Sequence, residues 1–212
     1  MYAPVNQLLY TMMRAIEFAT DAHKAQKRKA SGEPYIIHPI RVLRILTEAG
    51  ITDDTVLIAA VLHDVVEDTS VTLDEITRVF GKRVSNFVFE VTNNPDLSKV
   101  DKKKAQVTKA SNMSSGAKLI KMADMIDNLS DLLVAPPPDW TKERVKGYFV
   151  WKYVIFSSLR GVNSYLVNEL EKLFSSVLTI EEMMRLSMDK AQSSILQEYY
   201  NTLQTQVKPE SD

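Results

Sequence analysis

The sequence predicts an irregular, single-domain all-α fold, and three observations carry that reading. Glycine is scarce, with 6 in 212 residues, whereas strand-rich folds with many tight turns need more of it. Apolar residues recur at the helical period in segment after segment, and no convincing strand pattern stands between them. The segments are also short and punctuated, which separates the chain from a long-helix bundle. At 45% hydrophobic and 25% charged it can bury one well-formed core, and it is short for two.

Leu8, Leu9, Met12, Ala15, Ile16, Ala19 and Ala22 share a face on a helix expected from Val5 to about Lys29. Gly32 and Pro34 make the segment from Lys29 to Tyr35 a loop. Pro39 suits the first turn of a helix over about 39–49, stopped by Gly50, and biases His38 before it to an extended conformation. Asp53 and Asp54 open a mostly apolar helix running from Thr55 to about Glu67. Thr72-Leu-Asp-Glu75 is a capping box for a short helix that ends at Gly81. Another helix covers about 82–92, and a lysine-rich segment, Lys99 to Lys109, follows the break at Asn93-Asn-Pro-Asp96. Ala117 to about Val134 reads as a helix closed off by Pro136, Pro137 and Pro138. Trp140 to about Phe174 reads as aromatic and helical, with Gly161 inside it. A second capping box, Thr179-Ile-Glu-Glu182, starts a last helix before the polar tail Lys208–Asp212.

Charge and composition exclude whole classes of function. With 26 basic and 27 acidic residues there is no basic excess to drive binding along a nucleic-acid backbone. Cysteine is absent, which removes disulfides, thiolate zinc sites and cysteine nucleophiles together and fits a reducing, cytoplasmic setting. No apolar run approaches the roughly 18 residues of a membrane span, and the N-terminal segment lacks the basic start of a secretory signal. Only His23, His38 and His63 are available as imidazoles. Any metal site must therefore take most of its ligands as oxygen.

Two stretches carry chemistry. Ala59-Ala-Val-Leu-His-Asp-Val-Val-Glu-Asp-Thr69 sets His63, Asp64, Glu67 and Asp68 at the end of an apolar helix, with His63 over Glu67 and Asp64 over Asp68 at i, i+4. Four ionisable groups there need partners, and a divalent cation is the economical one. A plain exposed turn of solvated carboxylates is the competing reading. In Lys118-Leu-Ile-Lys-Met-Ala-Asp-Met-Ile-Asp-Asn-Leu129, Asp124 and Asn128 share a face within an otherwise core-type helix. An aspartate there is costly unless it is ligated or paired. A metal ligand and a buried Asp–Lys pair are equally good accounts of it.

Together with Arg28-Lys-Ala-Ser-Gly-Glu-Pro-Tyr-Ile-Ile-His-Pro39, these stretches resemble the HD-domain hydrolases of the alarmone (p)ppGpp, the hydrolase half of RelA/SpoT proteins. The stand-alone animal-type small alarmone hydrolases are the nearest likeness. The resemblance runs from about residue 8 to 175. It includes His63-Asp64 with Glu67-Asp68-Thr69, Ser114-Ser115 with Ala117-Lys118-Leu119, Lys121, Ala123-Asp124, Asn128-Leu129, Asp131-Leu132, and Trp140 with Arg144, Tyr148 and Trp151. It implies an HD-type phosphohydrolase domain over 1–178 and a C-terminal helical extension over 179–212.

Carried over residue by residue, the resemblance implies one divalent ion, Mn²⁺ in this family, on His38, His63, Asp64 and Asp124. It implies Glu67 and Asp68 as the catalytic acidic pair, and Arg28 and Lys29 as a basic pair lining the nucleotide pocket. Asn128 would face the ribose, Lys99 and Arg144 the phosphates, and Tyr148 belongs to the substrate-binding set. Lys99 alone, within Lys99-Val-Asp-Lys-Lys-Lys104, otherwise reads as a solvated charge run. The implied reaction is hydrolysis of ppGpp to GDP and pyrophosphate, with pppGpp as a related substrate. Two alternatives stand beside it: removal of the 2′-phosphate of NADPH, and a catalytically silent nucleotide-binding module.

The chain departs from the family at Met125, Asp127 and Ser130, where Lys or Arg, an aromatic or histidine, and Arg are usual. Asp127 sits about 100° around the helix from Asn128. That places it at the pocket rim, where its charge would oppose the substrate phosphates and Asp127→Tyr would lower KM.

Overall fold

In the computed structural model, which describes residues 6–28, 31–188 and 193–205, the described residues form twelve helices, one isolated bridge and no strand. Helix α1 (Gln7–Ala22) starts at Asn6, whose side chain accepts from the Leu9 N–H at 3.1 Å. It ends at His23, short of the expected Lys29. The chain turns there to pair with itself across Gly32: the Arg28 N–H donates to the Glu33 carbonyl at 2.9 Å, and the Tyr35 N–H to the Gln26 carbonyl at 3.0 Å. Gly32 takes a φ of 72°, which its missing Cβ permits at little cost.

Helix α2 (Ile37–Glu48) includes His38, so that residue is helical and not extended. Pro39 falls in the first turn, where a missing N–H forfeits no helical bond, and the local bias yields. Helix α3 (Asp54–Val61) stops six residues before the expected end, and α4 (Val65–Asp68) resumes as a single turn. The cause is local. His63 Nδ1 donates to the Ala60 carbonyl at 2.8 Å, occupying the acceptor that the Asp64 N–H would have used in a continuous helix.

Helix α5 (Leu73–Phe80) is capped by Thr72, whose hydroxyl accepts from the Glu75 N–H at 3.2 Å. Helix α6 (Lys82–Val91) follows through Gly81. The lysine-rich segment folds as α7 (Lys99–Ala110), capped by Ser98. Helix α8 (Ser115–Val134) starts two residues before the expected Ala117 and ends at the expected Val134. Trp140–Phe174 is two helices and not one, α9 (Lys142–Phe156) and α10 (Ser164–Ser175), because Gly161 at φ 93° turns the chain and Asn163 caps the second. The second capping box is reciprocal: Glu182 N–H donates to Thr179 Oγ1 at 3.2 Å, and Thr179 N–H to Glu182 Oε2 at 2.9 Å. The resulting α11 (Ile180–Met188) is not the last helix, since α12 (Ser194–Thr205) follows. The tail Lys208–Asp212 lies outside the described residues.

Every residue of α3 from Val56 to Val61 is buried, as its unbroken apolar sequence demands, and it packs on α1, α2, α6 and α8. Helix α8 is buried at every position from Met122 to Asp127, covered by α2, α10, α6 and α9. The loop after α3, the start of α2 and the middle of α8 therefore meet in the interior, where the charged residues of all three are brought together. On the far side α9 is covered by α7, α11 and α12.

Gly147 of α9 faces Tyr199 of α12. A Cβ there would lie 2.3 Å from Tyr199 Cδ2. Gly147→Ala gains about 1 kcal/mol of helix propensity but overpacks this contact, and a net loss of about 1–2 kcal/mol in denaturant unfolding is expected. Adding Tyr199→Ala should remove the penalty of the added methyl. Unchanged stability of Gly147→Ala would mean that α12 does not pack on α9.

Candidate active site and metal centre

His38 comes from the first turn of α2, His63 and Asp64 from the break between α3 and α4, and Asp124 from the buried middle of α8. One ligand atom from each of His38, His63 and Asp124 lies within 4.8 Å of the other two. Asp64 joins them, its Oδ2 lying 3.0 Å from His63 Nε2 and 3.5 Å from His38 Nε2. Three of the four expected ligands thus form one cluster, and Asp64 lies against its two imidazoles.

The donor set fits a cation. His63 Nδ1 is held by the Ala60 carbonyl and His38 Nδ1 by Asp127 Oδ2 at 2.6 Å, so both Nε2 atoms turn inward. Both are buried and neither meets a hydrogen-bond partner. Burial alone would lower the His38 imidazole, yet Asp124, Asp127 and Asp64 carry it up to about 9. Burial would likewise raise the Asp64 carboxyl, but His63 and His38 hold it well below the usual carboxylate range. Such a cluster favours a bound positive charge, and a divalent ion meets two lone pairs and two carboxylates at once. The carboxylates are also held by neighbouring side chains: Tyr35 O–H donates to Asp64 Oδ2 at 2.7 Å, and Lys121 Nζ lies 3.2 Å and Lys152 Nζ 3.7 Å from Asp124 Oδ2. Asn128 Nδ2 donates to Asp124 Oδ1.

Two cavities flank this centre. One of about 360 Å³ contains His63, Asp64, Asp124 and the acidic pair Glu67 and Asp68, with Lys103, Lys121 and Lys152 on its wall. The other, about 550 Å³, is lined by Arg28, Tyr35, Asp131, Trp140 and Tyr148 among others. Tyr35, Asp68, Asn128 and Tyr148 border both, so the two read as one elongated site with a cationic half and an aromatic half.

Glu67 is fixed by Asn93, whose backbone N–H and side-chain amide donate to its carboxylate at 2.8–2.9 Å. Burial first, then the charges of Asp64 and Glu67, push the Asp68 carboxyl up to about 6. Arg28 is locked by Asp131 (2.7 and 3.1 Å) and by Asn128 Oδ1 at 3.1 Å, leaving a fixed planar guanidinium in the aromatic half. Arg144 does not line either cavity; its guanidinium stacks on Trp140 with 4.4 Å to the ring centroid. Lys99 opens α7 as an exposed residue outside both cavities, and Lys103, one turn on, takes the place on the wall. Lys29 lies outside the described residues.

Lys103, Lys152, Tyr35 and Asn93 were not singled out in the sequence as parts of the site. Lys103 was legible as the i+4 neighbour of Lys99 on one helix face. It sits 3.4 Å over the Trp151 ring, and burial with Lys152, Lys99, Lys121 and Arg144 nearby drives its ammonium well below the ordinary lysine range. Lys152 carries no local signal. Asp127 corrects the expectation drawn from its helical angle: it is 5% exposed, not at the rim, and its charge is directed at His38 and Arg28. Met125 is fully buried in the core and faces no pocket.

Comparison with known proteins agrees with this geometry. The family model described as HD domain matches residues 15–147. The guanosine-3′,5′-bis(diphosphate) 3′-pyrophosphohydrolase of Mus musculus is 48% identical over 165 residues, 77% of this chain and 92% of its own length. Its Drosophila melanogaster counterpart is 44% identical over 164 residues, 76% and 92% of the two chains. A solved structure of a metazoan ortholog of SpoT, described as hydrolysing ppGpp with a role in starvation responses, superposes with a TM-score of 0.77. It shares 41% identity and covers 83% of this chain and 98% of its own. The likeness to all three extends over nearly their whole length. By both the model match and these relatives, the chain belongs to the HD-domain family of divalent-metal phosphohydrolases.

Proposed function

We propose that this chain is a Mn²⁺-dependent 3′-pyrophosphohydrolase that converts ppGpp and water to GDP and pyrophosphate. The observation that carries the reading is the position of the His38, His63 and Asp124 cluster, with Asp64 against both imidazoles, between a lysine-walled cavity and an aromatic one carrying a fixed guanidinium. A nucleotide with a polyphosphate on its ribose has that shape and charge. Two imidazoles with two carboxylates suit Mn²⁺, and by ligand chemistry alone also admit iron or zinc.

His38, His63, Asp64 and Asp124 would hold the ion, which would supply Lewis-acid activation of water at neutral pH. Asp68, poised near 6, accepts the proton at its carboxylate as the water attacks phosphorus. Glu67, oriented by Asn93, directs that water. The bond from that phosphorus to the ribose 3′-oxygen breaks, GDP leaves with its 3′-oxygen taking up a proton, and Lys103, Lys121 and Lys152 face the phosphate oxygens of the pyrophosphate that forms. Asn128, held from both sides by Arg28 and Asp124, faces the ribose. The Arg28 plane and Tyr148 bracket the base.

The test is to incubate Mn²⁺-loaded protein with ppGpp, pppGpp and NADPH in parallel, measuring released pyrophosphate and phosphate. Pyrophosphate with GDP from ppGpp is the expected result. Phosphate release from NADPH at greater kcat/KM would transfer the proposal to the 2′-phosphatase reading. No turnover of any of them by folded, metal-loaded protein would leave the silent-module reading.

A further inference from the structure

We propose that Asp127 is a positioning residue for the metal centre, one that holds the His38 imidazole with its Nε2 toward the ion. The proposal rests on the reading of His38, His63, Asp64 and Asp124 as ligands. Asp124 and Asp127 are three residues apart on α8, so both point to the same side of the helix, toward α2. Asp124 Oδ1 lies 3.3 Å from His38 Nε2 while Asp127 Oδ2 lies 2.6 Å from Nδ1 of the same ring. One helix thus grips both edges of one imidazole. The ring is 1% exposed and its Nε2 has no hydrogen-bond partner, so its orientation matters for what that atom can bind.

The bond does two things. It commits the proton to Nδ1, leaving the Nε2 lone pair for a ligand, and the adjacent negative charge makes that lone pair more basic. Asp127 can carry its charge in the interior because Arg28 Nη2 lies 3.5 Å from the same oxygen. Arg28 is tied to Asp131 at 2.7 Å and contributes only this long contact to Asp127, so the short bond to His38 dominates. The residue that departs from the family pattern is therefore placed behind the metal and not in front of the phosphates.

Measuring Mn²⁺ affinity by calorimetry on metal-stripped wild type, Asp127→Asn, Asp127→Leu and Arg28→Gln tests this. Asp127→Leu should bind Mn²⁺ about 10–100-fold more weakly. Asp127→Asn keeps an oxygen acceptor for Nδ1–H without the charge and should fall between. Arg28→Gln leaves the His38 bond but removes the cation beside Asp127, so its affinity should fall no further than that of Asp127→Asn. The graded order from Asp to Asn to Leu is the part a merely structural role would not produce. If Asp127→Leu fails to fold, the nearly isosteric Asp127→Asn decides alone. Mn²⁺ affinity within twofold of wild type in a folded variant overturns the proposal. Failure of the wild type to bind Mn²⁺ overturns instead the ligand reading on which it rests.

Discussion

Asp64→Ala is expected to lose the bound ion, all measurable turnover and the stabilisation that the ion confers. Asp64 Oδ2 is 3.0 Å from His63 Nε2 and 3.5 Å from His38 Nε2, so its removal opens the centre without touching the apolar core. With Mn²⁺ at 100 times its Kd, wild type should gain about 2.7 kcal/mol, and Asp64→Ala close to none. Thermal melts with and without Mn²⁺, together with elemental analysis, measure this. Asp124→Ala is a poorer probe, because it also strips Lys121 and Lys152 of their shared carboxylate in the interior. After chelation Mn²⁺ should restore most of the wild-type activity. Full activity in excess chelator, with no metal found by elemental analysis, would overturn the metal-centred mechanism.

Asp68→Asn and Glu67→Gln should each lower kcat by roughly two to four orders of magnitude while Mn²⁺ and nucleotide binding persist. The amide variants matter here. Gln at 67 still accepts from the Asn93 backbone, so the loop that Glu67 anchors stays in place and only the charge is lost. The two differ in pH behaviour. Because the Asp68 carboxyl lies near 6, wild-type kcat should fall as pH drops through that region, where the base becomes protonated. Binding of a cation beside Asp64 shifts this limb to lower pH. Asp68→Asn should lose the limb altogether. If nucleotide binding falls in step with turnover, the two residues are ligands or structural groups and not catalytic ones.

Much of the helical framework could be read locally. Capping boxes at Thr72 and Thr179 start helices where expected, and each makes its side-chain bond to the third helical residue. The apolar run from Val56 to Val61 and the pattern across α8 place both helices in the core before any contact is known. The misses share one cause. His23, His63 and Gly161 end or break helices through bonds and turns that a 3.6-residue period does not register. The lysine-rich helix α7 has no strong apolar stripe of its own, and packing on α9 and α12 supplies what its sequence lacks.

By itself the sequence determined the all-α class and the His63-Asp64 and Glu67-Asp68 clusters. Through its resemblance it also pointed to His38, His63 and Asp124, which cluster in the structure, and to Asp64 beside them. These are matters of residue type and spacing, which short-range geometry preserves. Only the tertiary structure decided which lysines line the cavity beside the metal centre, since Lys103, Lys121 and Lys152 come from three helices whose relative rotation no local pattern states. It also turned Asp127 from a rim charge into the partner of His38 Nδ1. A helix presents every residue to some direction. What lies in that direction is set by the neighbour that packs there, and for Asp127 the neighbour is the first turn of α2, 89 residues earlier in the chain.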